Sequence, residues 1–415
     1  MQILFVHQNF PSQYQYLVRK LALCGQHRLV ALSMQLPQQS LPSNVELIRY
    51  GLRRGNDPKI HPLLFETESK VLRAEACAAA AHQLKGAGFM PDLICCHPGW
   101  GESLFLSEIW PESPLLCYQE FFYHTVGFDA CFDPEIQKQP TWQSQARKTM
   151  KNYHLLQSLH QSTWNVTPTA FQRSTFPPVY QDRFSVIHDG IDTDQASPAP
   201  RPLTLNLADG VVLRSGMPIV TFVNRTLEPY RGCHTFLRAI PELLQQVPDA
   251  HVVVVGSLQG VSYGAACTEG EWVNQFLSEI EGRYDPKVLH FCGSLRYEHY
   301  LAILRLSACH VYLTYPFVLS WSLLEAMSCA CPIVGSKTAP VEEVIEDGLN
   351  GVLVDFFSPS DLASAMADML RHPQRYAAMR AAARQTILDH YSLELCVPRH
   401  LALMEQIAIG GLPAG

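Results

Sequence analysis

Glu325 is the one carboxylate in the apolar run YPFVLSWSLLEAMSCACPIVG (315–335), just after the small Ser320-Trp321-Ser322 step. A helix starting at that step directs N–H groups and the positive end of its dipole toward an anion. A carboxylate one turn in can accept hydrogen bonds from a ribose diol. Ser322 and Glu325 also fit a capping box, which would explain the charge without a ligand. In NRTLEPYRGCHTFLRAI (224–240), Arg225 and Arg231 bracket one loop ahead of a helix. Two guanidinium forks so placed suit the oxygens of a diphosphate. The bland alternative is a pair of surface arginines bonded to Glu228. HPGWGE (97–102) and QEFFYHTVGFD (119–129) supply His97, Trp100, Glu120, Tyr123 and His124. Carboxylate, imidazole and aromatic rings together can orient hydroxyls and stack on sugars. HQNFPSQYQ (7–15) is a loop entering a helix, with Ser12 where a glycine would be more informative.

Chemistry of this kind needs strand ends to hold it. QILFVH (2–7), RLVALS (28–33), ELIRY (46–50), DLICC (92–96), PLLCY (114–118) and FSVIH (184–188) read as strands. Their nearly continuous apolar character predicts parallel strands covered on both faces. Helix-period stretches at 13–24, 65–86 and 141–160 alternate with them, which predicts a doubly wound α/β domain. HDGIDTDQASPAPRPLTLN (188–206) breaks the pattern and reads as a linker. A second series of strands follows, at 218–224, 251–256, 288–293, 310–315, 332–336 and 351–355. Its helices fall near 233–246, 297–307 and around Glu325, with three more at 360–371, 374–389 and 393–408. The expected organisation is one doubly wound, Rossmann-like domain over 1–195 and a second over 196–390. A final helix over 391–415 crosses back to the first. Two such domains facing across a cleft would bind ligands at the carboxyl ends of their strands.

Bulk properties narrow the function classes. A net charge of -7 and the lack of a long basic stripe argue against nucleic acid as a partner. The 13 cysteines show no paired spacing with histidines that would suggest zinc, and they read as reduced core residues. The DTD at 192–194 reads as a linker turn, so no metal is expected. The opening MQILFVHQNF enters a strand at once, and no run approaches the length of a membrane helix. A cytoplasmic protein is the expectation, with peripheral contact at the inner membrane left open. There is neither a G-x-G-x-x-G nor a G-x-x-x-x-G-K-[ST] fingerprint.

NRTLEPYRGCHTFLRAIPELL, VVVVG, HFCGSL, LTYPFVLSWSLLEAMSCACPIVGS and APVEEVIEDGLNGVLV, in that order, resemble the retaining, nucleotide-sugar-dependent glycosyltransferases of the GT-B fold, family 4. VIHDGID (186–192) is similar to that family's interdomain junction. The resemblance implies that Arg225 and Arg231 hold a donor diphosphate, with arginine replacing the usual lysine at 231. Ser320, Trp321 and Ser322 match the loop whose amides approach the diphosphate. Glu325 matches the second glutamate of the family's E-x7-E motif, which binds the nucleotide ribose. The first glutamate is missing, and Phe317 stands there, or Tyr315 if the loop carries a two-residue insertion. Either would face the donor sugar. In the first domain, Glu120 takes the place where the family often has a histidine near the reacting centre, with His124 as a second candidate and His97 beside them. The donor would be a UDP-sugar or GDP-sugar, no cofactor is implied, and the acceptor would be a hydroxyl of a glycan, lipid carrier or small metabolite. Competing readings are a nucleotide-sugar epimerase, a non-catalytic scaffold and a nicotinamide dehydrogenase, the last disfavoured by the absent glycine fingerprint.

Overall fold

A computed structural model describes residues 1–208 and 210–413, and their contacts divide into two compact units. Unit one comprises Met1–Gly190 with Leu393–Gly415, and unit two comprises Ile191–Ser392. In unit one the strands are β1 (Gln2–Val6), β2 (Arg28–Ser33), β3 (Val45–Arg49), β4 (Leu93–Cys96), β5 (Leu115–Tyr118), β6 (Trp164–Thr167) and β7 (Phe184–Val186). They form one sheet in the order β3-β2-β1-β4-β5-β6-β7, with every pairing parallel. Every residue of β4 and β5 is buried, because helices cover both faces. Cys95, Cys96 and Cys117 lie in these strands as small apolar side chains. The strand order reverses between β1 and β4, which puts the ligand-binding crevice of this sheet at the ends of those two strands.

Unit two repeats the plan. A short hairpin of β8 (Thr204–Asn206) and β9 (Val212–Arg214) precedes β10 (Ile219–Thr226), β11 (His251–Ser257), β12 (Leu289–Phe291), β13 (Cys309–Tyr312), β14 (Ile333–Ser336) and β15 (Val352–Val354). The six-stranded parallel sheet runs β12-β11-β10-β13-β14-β15, with its reversal between β10 and β13. The helix Cys233–Gln246 lies against it and buries Phe236, Leu237, Ile240 and Leu243. The Phe236 ring stacks on Phe222 of β10 with centroids 4.2 Å apart. Burial of a side chain that size contributes about 2–3 kcal/mol. Gly232, just before the helix, has φ 67, and a Cβ there would lie 2.4 Å from the Leu313 Cβ. Only glycine lets this turn press against the end of β13.

Several elements differ from the sequence reading. The expected linker 188–206 already contains β8, whose partner is a further strand at 212–214. β6 was not expected, because WNVT is short and half polar. The expected helix 141–160 is two helices, Trp142–Lys151 and Tyr153–Gln161. Between them the Asn152 amide turns to the loop after β5, accepting from Tyr123 N (3.0 Å) and donating to Tyr123 O (2.6 Å). That tertiary pair explains the break better than propensity would. Short helices at Trp272–Glu279 and Ala339–Glu342 were also not anticipated. Among the described residues no helix is long and apolar enough to cross a membrane.

Candidate functional site

In unit one the ends of β1, β4 and β5 assemble a polar cluster. His7 follows β1 and His97 follows β4, and both rings are buried. The His7 Nδ1 accepts from Asn9 N (2.9 Å), which leaves the proton on Nε2, where it donates to Gln13 Oε1 (2.9 Å). Gln13 Nε2 in turn donates to Glu120 Oε1 (2.7 Å). The His97 Nδ1 accepts from Gly99 N (3.2 Å), so its proton also sits on Nε2. That atom is buried without a hydrogen-bond partner and lies 3.6 Å from Glu120 Oε2. A hydroxyl oxygen between the two could accept from His97 and donate to Glu120, satisfying a donor that is otherwise costly to bury. Burial, with His97 nearby, pushes the His7 imidazole well below its ordinary pKa, against the bond to Gln13. His7 is therefore a neutral, fixed donor.

Trp100 lines the same cluster, its ring 4.6 Å from His97 and 4.9 Å from His7. The Tyr118 ring stacks on His97 at 5.6 Å, and its hydroxyl donates to Asp189 Oδ1 (2.6 Å). Ser12 opens the turn before the helix Gln15–Cys24 with φ 42, a left-handed value unusual for a side chain other than glycine. His124 stands apart, with Nε2 bonded to Thr175 O (2.7 Å) and its ring against Phe128 (4.3 Å). Tyr123 is covered by the Lys151 ammonium, 3.5 Å from its ring centre. Sequence reasoning missed His7 and Gln13. The only signal for them was their place after the first strand.

In unit two the loops after β10 and β13 hold the expected donor residues. Arg231 is 6% exposed, and its Nη1 bonds Thr314 Oγ1 (2.8 Å), Val318 O (3.0 Å) and Tyr312 OH (3.2 Å). Its Nε and Nη2 make no hydrogen bond among the described residues, so one edge of the fork is anchored and the other is uncommitted. Arg225 is exposed on β10. Neither arginine is hydrogen-bonded to Glu228. That carboxylate instead accepts from Ser262 N (2.5 Å), Tyr263 N (3.1 Å) and Thr226 Oγ1 (3.0 Å). Burial raises its pKa, and those donors oppose the rise. Glu228 thereby pins the loop after β11 so that Tyr263 lies 5.3 Å from the Arg231 guanidinium. Gly264 follows with φ 82, and a Cβ on it would lie 2.8 Å from the Tyr230 ring. We expect Glu228→Ala to orphan the Tyr263 amide, to leave Ser262 N only its bond to Thr226 Oγ1, and to destabilise unit two by about 1–3 kcal/mol, read from denaturant unfolding. A loss under 1 kcal/mol would mean that the loop holds itself.

Tyr315 and Phe317 are buried beside this loop, in an aromatic cluster with Tyr230 (4.6 and 5.5 Å) and, for Phe317, Tyr263 (4.9 Å). Ser320 caps the helix Trp321–Ser328, its hydroxyl accepting from Ser322 N (3.3 Å) while its own N–H donates to Tyr312 OH (2.8 Å). The helix begins two residues earlier than a box built on Ser322 requires, and Glu325 is not part of a cap. Its two oxygens accept from Tyr297 OH (2.7 Å) and Tyr300 OH (2.8 Å), both on a neighbouring helix. Burial raises the Glu325 pKa, and the two phenols hold it down. Trp321 packs partly buried against the core of unit two.

Comparison with known proteins follows the same division. Residues 25–196 match the profile described as glycosyl transferase family 4 group, and residues 209–386 match the one described as glycosyl transferases group 1. A GDP-mannose-dependent alpha-(1-6)-phosphatidylinositol monomannoside mannosyltransferase of Mycolicibacterium smegmatis is 26% identical over 53% of this chain and 56% of its own. A D-inositol 3-phosphate glycosyltransferase of Corynebacterium jeikeium is 28% identical over 45% of this chain and 43% of its own. The chain thus spans about half the length of the curated relatives it matches. Anabaena Alr3699/HepE, solved in complex with UDP, superposes with a TM-score of 0.67 at 16% identity, covering 98% of this chain and 100% of its own. Sucrose-phosphate synthase from Thermosynechococcus elongatus superposes with a TM-score of 0.71 at 15% identity, covering 99% of this chain and 100% of its own. The two Rossmann-like domains are those of the GT-B fold.

Proposed function

From the premise that this chain belongs to the family 4 glycosyltransferases, we propose that it moves a hexosyl-type sugar from a nucleoside diphosphate sugar to a hydroxyl acceptor, with retention of configuration. The observation that carries the reading is Arg231, buried, anchored through one nitrogen and left with uncommitted N–H groups. Breaking the donor bond builds positive charge on the sugar and negative charge on the departing diphosphate. Arg231, Arg225 and the N–H groups at the start of Trp321–Ser328 would stabilise that negative charge as it forms. Glu325 would take the ribose diol, exchanging or sharing the Tyr297 hydroxyl. Tyr315 and Phe317 would form an apolar wall on the donor-sugar side in place of a carboxylate. In the first domain, His97 and Glu120 would receive the acceptor hydroxyl, His97 donating to its oxygen and Glu120 accepting its proton. His7 and Gln13 act through Glu120 and are positioning residues. In a front-face route the leaving phosphate can itself help to deprotonate the acceptor, so no enzyme nucleophile is required.

The UDP in one structural neighbour and the GDP-mannose dependence of one relative name the first donors to try. A thermal-shift and calorimetric screen of UDP, GDP, ADP and their sugars should find one base preferred. Arg225→Ala and Glu325→Ala should each weaken that binding at least tenfold. Full retention of binding in both variants would move the donor site elsewhere, and no binding by any nucleotide would favour a scaffold. Product analysis separates transfer from epimerisation, which needs no acceptor.

A further inference from the structure

At the amino-terminal edge of the sheet of unit two, the edge opposite the Arg231 loop, lies a concavity of about 740 Å³. Its walls come from the proline-rich segment 198–202, the turns entering β10, β13 and β14, and the segment 370–380. Four arginines line it, Arg201, Arg305, Arg371 and Arg380, against the single carboxylate of Asp249. Three of them are hydrogen-bonded to neutral backbone carbonyls. Arg305 donates through Nε to Ser197 O (2.8 Å) and through Nη2 to Gln195 O (2.6 Å). Arg371 donates through Nη2 to Gln246 O, and Arg380 through Nε to Ala330 O (2.8 Å). Among the described residues none of the four reaches a carboxylate.

Carbonyl bonds orient a guanidinium without neutralising it. Four like charges around one concavity repel, and they do so in a chain whose net charge is -7. Such a grouping favours a multiply charged anion, and the planar fork of arginine matches phosphate oxygens in pairs. Fixing three of the four side chains by backbone bonds lowers the ordering cost of binding. The volume lies within the range of small-molecule sites, larger than one inorganic ion needs.

We propose that this concavity is a second ligand site, separate from the donor loops, that takes a phosphorylated small molecule. Calorimetric titration of the full chain with inorganic pyrophosphate tests it. Arg371→Gln combined with Arg380→Gln removes two guanidiniums of exposed residues. The wild-type chain should show a component of pyrophosphate binding that this double variant weakens at least tenfold. Arg225→Ala on β10 and Arg296→Gln, a solvated arginine elsewhere, should leave that component within twofold. Equal binding by the double variant overturns the site, and so does a wild-type chain that binds no pyrophosphate at millimolar concentration. Equal weakening by Arg296→Gln would reduce the effect to general charge and overturn it as well. Inorganic monophosphate should bind at least tenfold more weakly than pyrophosphate. Parity between the two would mean a simple ion site, against the proposal.

Discussion

Arg231→Ala is expected to lower kcat and kcat/KM together by about 10²–10³, the usual consequence of removing one preorganised donor to a developing charge. The expectation rests on the placement of the guanidinium. One nitrogen is spent on Thr314, Val318 and Tyr312, and the fork is held rigid before any ligand arrives. Preorganised charge in a buried site acts more strongly than a solvated one. Alanine would also strip partners from Thr314 and Tyr312, so a fall in activity by itself could reflect a loosened loop. Arg231→Lys separates the two causes. Lysine restores the charge without the fork, and should recover activity to within about tenfold of wild type. Steady-state kinetics on both variants, with denaturant unfolding as a control, decides the matter. A raised KM at unchanged kcat would assign Arg231 to ground-state binding alone.

The second large effect is on stability. His7, His154, His188 and His400 of unit one are all buried and all held below the ordinary histidine pKa. Burial is the leading cause in each, bringing His154 and His188 to about 3 and His400 to about 4. The ring acceptors of His7 and His188 are already filled by main-chain N–H groups of Asn9 and Gly190, so a proton there would break a bond. Below the unfolded value of about 6.5 the unfolded chain takes up protons that the folded chain refuses. Stability is therefore full above that value and falls as the pH drops toward the folded values. Each histidine contributes about 1.4 kcal/mol per pH unit, or about 5–6 kcal/mol per unit for the four. A domain is typically stable by about 5–15 kcal/mol, so unit one should open between about pH 4 and 5.5.

Glu102 opposes this in part. Burial raises its pKa, so it takes up a proton more readily in the folded state as the pH falls. In unit two His310 is lowered to about 3, while Glu228 and Glu325 are raised and offset it. Hydrogen exchange at pH 7.5 and 5.5 should show protection falling in 1–190 well before 191–392. Loss of protection at the same pH in both units would sink the histidine account.

The readable part of this molecule was the part encoded by neighbours in the chain. Arg231 and Glu325 could be singled out because each sits on a loop or helix that a strand leads into. The parallel strands were equally plain, since runs such as DLICC are apolar on both faces. What could not be read depended on groups far apart in sequence. Gln13 meets Glu120 across 107 positions, and only the strand order brings β1, β4 and β5 together. Ser322-x-x-Glu325 resembles a capping box in letters, yet the helix is capped by Ser320, and the carboxylate is claimed by two tyrosines of another helix. Glu228 is spaced to pair with either arginine. It turns instead to the amides of Ser262 and Tyr263, supplied by a loop more than thirty positions away.

The cysteines buried in the two units carry one more consequence. Cys95, Cys96 and Cys117 in one unit, and Cys233, Cys309, Cys329 and Cys331 in the other, are enclosed, whereas Cys24 is exposed. Burial also pushes the thiols of Cys117 and Cys329 up to about 12, so that even a reagent that reached them would meet almost no thiolate. An alkylating reagent should therefore mark Cys24 at once and the enclosed cysteines only when their own unit opens. The chain carries in each half a built-in chemical clock for its unfolding, which alkylation and peptide mass mapping can read without an engineered label.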